Sequence, residues 1–338
     1  MKRTIPMALR PWGLRAPALL AILAAGCYSA PDRSLSEWKP GGWRPARTTM
    51  GQPKVPAPKL QADSRKAFDS GAYLDAAEGY LTLKERYPET AEAKDVSTSF
   101  FIAESHYRLG EGRYVDAYPF YLEVLKSNPT QEMLQTSLGR IYDIGIAFLY
   151  GRAKRSFLGI SYRSPTYGVD ILTGDQGLVT NYPFLPQSED ALMEVAKYFF
   201  DGKGYAEAEP YYERISRDYP QSRWHQSADY QLALSIHRQI KGVEYDQTLM
   251  VKARSKFIAY VSHYPRGDHV EEARSYLRIL AEWEGDHDLR IAKYYLRESS
   301  PQAAKLYLRS VFINNPKTDA AREAREIYEN LEKRRGGI

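Results

Sequence analysis

The stretch YLDAAEGYLTLKERYP, Tyr73–Pro88, places an aromatic residue first, an alanine three residues on, a second aromatic four after that, and Tyr-Pro at the close. At about 100° per residue, offsets of three and seven return to one face of a helix, so Tyr73, Ala76 and Tyr80 form a single stripe. The alanine lets a neighbouring helix approach closely while the aromatics fill the groove beside it. Proline then ends the helix, because it lacks a backbone donor and pushes the preceding residue out of the α region.

The same spacing returns along the chain. YVDAYPFYLEVLKSNP supplies Tyr114, Ala117, Tyr121, Asn128 and Pro129, and YAEAEPYYERISRDYP supplies Tyr205, Ala208, Tyr212, Tyr219 and Pro220. MVKARSKFIAYVSHYP (Met250, Ala253, Phe257, Tyr264, Pro265) and PQAAKLYLRSVFINNP (Pro301, Ala304, Leu308, Asn315, Pro316) relax only the aromatics. A weaker sixth copy fits between Pro165 and Pro183, with Pro165, Gly168 and Leu172 in register, if three residues near Gly174 to Gly177 are an insertion. The stop prolines fall 37 to 54 residues apart, and such a period favours a stacked array over two ordinary domains.

Between stops, an alanine eight residues after the proline (Ala191, Ala228, Ala273, Ala324) marks a partner helix, so each repeat is a helix pair. Glycines at Gly71, Gly112 and Gly204 precede the clearest copies and suit the turn of a helix hairpin. Pro119 and Pro210 lie five residues into their copies and require a late helix start or a kink. The run GRAKRSFLGISYRSPTYGVDILTGDQG, Gly151–Gly177, carries Arg152, Lys154, Arg155 and Arg163 and breaks the pattern. It reads as an irregular loop within the third repeat, either functional or without fixed structure.

The Y-x2-A-x3-[YF]-x7-P spacing resembles the second helix of the tetratricopeptide repeat. The resemblance implies an all-α fold, a helix-hairpin superhelix of five to six repeats over residues 61–330, with a short tail at 331–338. Such arrays present a groove lined by the first helix of each pair, which holds extended peptides or partner helices. By register against the family pattern, Arg65, Phe100, Glu104 and Tyr107 are the groove candidates.

The N-terminus carries a different signal. Lys2, Arg3, Arg10 and Arg15 precede APALLAILAAG, an apolar run of eleven residues that ends at Cys27, the only cysteine. Spanning a bilayer takes roughly 20 residues of helix, so residues 1–26 read as a secretory signal. Ala24-Ala25-Gly26-Cys27 resembles the lipobox of bacterial lipoproteins, although Leu23 lies one residue early; the resemblance implies that Cys27 becomes the lipidated N-terminus. Tyr28, in place of an aspartate, implies sorting to the outer membrane, on its periplasmic face. Residues 27–60 are rich in proline and form a tether, about 30 Å or more in average reach and about 100 Å at full extension.

The formal charge is +5, and four of those charges sit in the leader, which leaves +1 with acids and bases mixed along the rest. No electrostatic footprint for nucleic acid remains. No phosphate loop, G-x-S-x-G, H-E-x-x-H or C-x-x-C is present, and the six histidines do not pair at helical metal-site spacing, so neither an enzyme, a metal nor a cofactor is expected. GDHD at Gly285–Asp288 reads as a polar turn opening a helix.

A lipobox cysteine, a proline-rich tether and a repeat array together resemble the BamD-type outer-membrane protein assembly lipoproteins. YPQSRWHQSADYQLALS from Tyr219 and IAKYYLRESSPQAAKLYLRSVFINNPKTDAAREA from Ile291 look like that family's inter-repeat and late-repeat patterns. The resemblance implies a periplasm-facing scaffold that docks on the POTRA domains of a BamA-like subunit and grips the terminal β-signal of unfolded outer-membrane proteins. The alternative is a tetratricopeptide lipoprotein serving cell-envelope division, peptidoglycan machinery or pilus assembly.

Overall fold

The computed structural model describes residues 55–242 and 247–333. The signal peptide read over 1–26, Cys27, the tether as far as residue 54 and the last five residues lie outside the described residues. The fold is all-α, a tetratricopeptide-like helical repeat. Its elements are α1 (Ala57–Asp69), α2 (Tyr73–Arg86), the single turn α3 (Ala91–Lys94), α4 (Val96–Arg108), α5 (Tyr114–Lys126) and α6 (Gln131–Leu149). A two-stranded hairpin, β1 (Arg155–Phe157) and β2 (Ile160–Tyr162), precedes α7 (Pro165–Thr173), the short α8 (Leu178–Asn181), α9 (Pro186–Asp201) and α10 (Tyr205–Asp218). Then come α11 (His225–Gln239), α12 (Gln247–His263), α13 (Val270–Arg297), α14 (Pro301–Asn314) and α15 (Asp319–Lys333). The first helix starts at Ala57, so the last residues assigned to the tether already belong to the array.

Every template copy becomes the second helix of a hairpin: α2, α5, α7, α10, α12 and α14. The alanines Ala76, Ala117, Ala208, Ala253 and Ala304 are fully buried, as are Tyr80, Tyr121, Tyr212, Phe257 and Leu308 four residues on. A further position three residues later, at Leu83, Val124, Ile215, Tyr260 and Val311, is equally buried and completes the stripe. Each such large side chain contributes roughly 1.5–3 kcal/mol by leaving water. The marker alanines Ala191, Ala228, Ala273 and Ala324 are buried on the facing helices. Helices pack on their sequence neighbours, and the core is a succession of local clusters along the chain, as stacked repeats require.

The stops share one geometry. Tyr87, Tyr182, Tyr219 and Asn315 all leave the helix with φ between −133° and −127° and ψ between 45° and 61°. Each of these residues, and Tyr264 as well, donates its N–H to the carbonyl four residues back at 2.9–3.0 Å. Its own carbonyl accepts from the N–H three residues ahead at 2.9–3.3 Å, which places the proline at the second position of a tight turn. Copy two differs: α5 stops at Lys126, with Ser127 extended ahead of Asn128-Pro129.

Several expectations change. The left-handed residue that closes the first helices α1, α4, α6, α9 and α13 is Gly71, Gly110, Gly151, Lys203 and Ser299 in turn, so Gly112 and Gly204 do not supply it. In four of these turns the next residue donates to the carbonyl five back (Ala72 to Ala67, Arg152 to Ala147, Gly204 to Phe199, Ser300 to Tyr295), and that bond holds even a lysine or serine in the left-handed region. Pro119 and Pro210 sit inside α5 and α10, which start with the template. Pro210 frees only the carbonyl of Ala206, an exposed residue.

The Gly151–Gly177 segment is irregular only in part. Residues 165–173 form α7, with Pro165 at the helix start, where its missing N–H costs nothing. Gly168 takes the alanine position of this copy: a Cβ there would lie 2.4 Å from the Leu149 nitrogen and 2.7 Å from the Gly145 carbonyl oxygen. So α6 and α7 cross with their backbones in contact. Gly285–Asp288 is not a turn either; it lies in the middle of the 28-residue α13. Gly285 is buried there, its missing Cβ leaving room for Ala320 and Thr318 at the start of α15. The early part of α13 packs on α12, with Tyr276 stacked on Phe257, and its later part, through Leu289 and Ala292, packs on α14 and α15.

Candidate functional site

On α4, Phe100, Glu104 and Tyr107 stand at spacings of four and seven and so share a face. Two groups of contacts hold them. In the first, Phe68, Phe101 and Tyr80 form an aromatic cluster, with Phe101 stacked on Tyr80 at 5.7 Å and meeting Phe68 edge-on at 5.0 Å. Arg65 lies with its guanidinium 4.2 Å from the centre of the Phe101 ring, while its Nε donates to both Asp69 carboxylate oxygens at 3.0 Å. Phe100 meets Phe101 edge-on at 5.5 Å and remains half-buried.

The second group is a polar network spanning α4, α5 and α6. The Glu104 carboxylate is buried and accepts from Tyr121 Oη at 2.6 Å, from Arg140 Nε at 3.0 Å and from Arg108 Nε at 3.5 Å. The Arg140 guanidinium lies 4.1 Å from the Tyr107 ring centre, Tyr107 stacks on Tyr114 at 4.9 Å, and Tyr107 Oη donates to Asp143 at 2.8 Å. Burial pushes the Tyr107 and Tyr121 hydroxyls well above the usual phenol range, and the neighbouring carboxylates Asp143 and Glu104 push them further. Both hydroxyls are therefore permanent donors.

The four candidates thus differ in what they offer. Glu104 has its carboxylate enclosed by donors from three helices, and Tyr107 has its hydroxyl engaged by Asp143. Arg65 is exposed and keeps donors free, Phe100 presents ring surface, and the partly exposed Tyr107 ring is covered by Tyr114 and Arg140. The surface is a fixed ledge of ring faces and guanidinium edges, with nothing in it poised as a nucleophile or a general base.

A second concavity lies among α12, α13 and α14. It measures about 310 Å³ and is lined by Met250, Arg254, Glu284, His287, Asp288 and Asn315, among others. Arg254 donates to one Glu284 oxygen, whereas the other Glu284 oxygen and the Asn315 side-chain oxygen are buried without a donor. Burial raises the Glu284 carboxyl above its ordinary range; Arg254 opposes that shift and Asp288 adds to it. The sequence did signal this place: one residue after the template alanine, the later copies carry Glu209, Arg254 and Lys305, and these pair with Lys252, Glu284 and Glu332 on neighbouring helices.

This second concavity and α9–α15 fall within a stretch that a known family covers. Residues 176–338 match the YfiO family, described as outer membrane lipoprotein. The ledge on α4, the β-hairpin and α7 lie before the matched residues. No curated protein matches the chain. The YfiO match supports an outer-membrane lipoprotein. Among the described residues no helix is long and apolar enough to cross a membrane, and no group of three or more His, Cys, Asp or Glu is placed to hold a metal ion.

Proposed function

We propose that the chain is a lipid-anchored scaffold of the β-barrel assembly machinery, held through Cys27 on the periplasmic face of the outer membrane. The observation that carries this reading is the YfiO match over residues 176–338, which falls on the helices from α9 to α15. In this reading the array docks on POTRA domains of a BamA-like subunit. The α4 ledge, with Arg65, Phe100 and Tyr107 outermost and Glu104 bracing it from beneath, receives the terminal segment of an unfolded outer-membrane protein. Ring faces and a guanidinium suit such a segment, which offers a carboxylate and alternating aromatic side chains.

Crosslinking in intact membranes tests the proposal. Capture of a large β-barrel subunit is the expected result. Capture of only division, peptidoglycan or pilus components would sink it in favour of the alternative scaffold role.

A further inference from the structure

The hairpin between α6 and α7 interrupts an otherwise helical array, and its side chains are placed against the usual rule. Arg155 pairs with Tyr162, Ser156 with Ser161 and Phe157 with Ile160. Strand alternation puts Arg155, Phe157, Ile160 and Tyr162 on one face and the two serines on the other. Phe157 is 68 % exposed, Leu158 86 % and Ile160 72 %, so three large apolar side chains meet solvent together at the tip.

The turn itself is costly. Leu158 and Gly159 both have positive φ, 51° and 80°, the pattern of a two-residue turn that favours asparagine or glycine at its first position. A leucine held there bears the strain of a left-handed backbone and, among the described residues, gains no burial in return.

Charge then indicates what meets the tip. The twelve residues from Arg152 to Arg163 carry four cations and no acid. Arg152 pairs with Glu111 and Arg155 lies against Tyr167, whereas Lys154 and Arg163 form no ion pair among the described residues. Three residues of strand project about 10 Å, the depth to which apolar groups enter the headgroup boundary of a bilayer. With apolar side chains at the tip, a tyrosine at the foot and cations at the base, the order matches the layers of an anionic membrane surface.

We propose that this hairpin is a second membrane contact, in which Phe157, Leu158 and Ile160 enter the interface of an anionic phospholipid surface while Lys154 and Arg163 face its headgroups. It does not depend on the lipid anchor or on the assembly role, and it lies outside the residues matched to the outer-membrane lipoprotein family.

The full chain allows a local test. Cys27→Ser removes the only thiol, so Leu158→Cys can carry an environment-sensitive dye, with Glu271→Cys on α13 as a second labelling site. Vesicles of phosphatidylethanolamine with phosphatidylglycerol should shift the dye at 158 to the blue and leave the dye at 271 unchanged. Phosphatidylcholine vesicles should shift neither dye, and salt should weaken the response at 158. Lys154→Gln with Arg163→Gln should weaken binding by about fivefold per cation. Leu158→Asn, which suits the turn better, should weaken it as well. The proposal is overturned by no shift at 158, by an equal shift with phosphatidylcholine or at 271, or by a shift without vesicles that grows with protein concentration.

Discussion

Gly168→Ala sets two lines of reasoning against each other. The repeat template holds alanine at this position in every other copy, always fully buried. Helix propensity alone also favours the change, by about 0.5–1 kcal/mol. Judged on the template, the variant should be neutral or more stable. The structure gives the opposite sign. An added Cβ would sit 2.4 Å from the Leu149 nitrogen, 2.7 Å from the Gly145 oxygen and 2.8 Å from the Leu149 Cα, all backbone atoms of α6 that no rotamer change can move. Ordinary contact would require α7 to retreat by roughly 1 Å and open the packing of Ile171 and Leu172, both fully buried. Overpacking of this kind costs about 1–3 kcal/mol, and rigid backbone on the opposing side argues for the upper end. The net effect is a loss of about 2 kcal/mol, or roughly 3–4 °C in thermal midpoint for a chain of this size. Gly139→Ala in α6 is the internal control, because nothing lies within 4 Å of its Cβ and the change should stabilise by about 0.5–1 kcal/mol. Urea and thermal unfolding of both variants beside the parent chain measure the pair. If Gly168→Ala proves as stable as Gly139→Ala, the close crossing of α6 and α7 is wrong.

Glu104→Gln keeps the shape of a buried acceptor but turns an amide toward Arg140, and should cost roughly 2–3 kcal/mol in urea unfolding; unchanged stability would mean that the network linking α4, α5 and α6 contributes nothing. His237 packs against Trp283, Tyr276 and Phe257 with neither ring nitrogen bonded, and burial, helped by Arg238, pushes it down to about 4. Between about 6.5 and about 4 the unfolded chain therefore binds a proton that the native ring refuses, and stability falls as pH drops through that window, by about 1–2 kcal/mol once its partial exposure is allowed for. His106, lowered mainly by burial, acts in the same sense, whereas Glu284, raised by burial, opposes it. His237→Phe should flatten the slope, and equal slopes for variant and parent would count against the assignment. Cys27→Ser should release the protein from the membrane fraction after a high-salt wash, which strips electrostatic adsorption by the hairpin; retention would mean that Cys27 is not the anchor.

The second helix of each hairpin was legible because its determinants are local: a stripe at offsets of three and seven, and a proline that fixes the residue before it. The fully buried position at Leu83, Val124, Ile215, Tyr260 and Val311 is not legible in the template because its side chains differ in type, although it sits on the same stripe. Two of the left-handed turn residues give no sign in the sequence for a related reason. Lys203 and Ser299 carry no glycine signal, and a hydrogen bond five residues back holds them left-handed. The α4 face was found by register, but Glu104 draws its partners from Tyr121 and Arg140 on other helices, which no spacing within α4 reveals. The strands β1 and β2 are three residues each, too short for alternation to show, so only the cations of that segment stood out.

Gly285 shows the same limit from the other side and allows a last test. GDHD has the composition of a polar turn, and a turn glycine with left-handed φ would make Gly285→Ala costly by about 1 kcal/mol or more. In the structure Gly285 is helical, so alanine gains about 1 kcal/mol of propensity. Against that gain stand contacts of the new Cβ with the Ala320 Cβ at 3.1 Å and the Thr318 Oγ at 3.3 Å. Both belong to the start of the last helix, which closes the array and has no later described helix to hold it, so it can give by the few tenths of an ångström required. The two effects nearly cancel, and Gly285→Ala should lie within about 0.5 kcal/mol of the parent. Hydrogen exchange settles the geometry separately. A continuous α13 bonds the amides of Asp286, His287 and Asp288 to carbonyls four residues back and should protect them as well as those of Leu280 and Leu289. Fast exchange confined to these three amides would restore the turn and divide α13 into two helices.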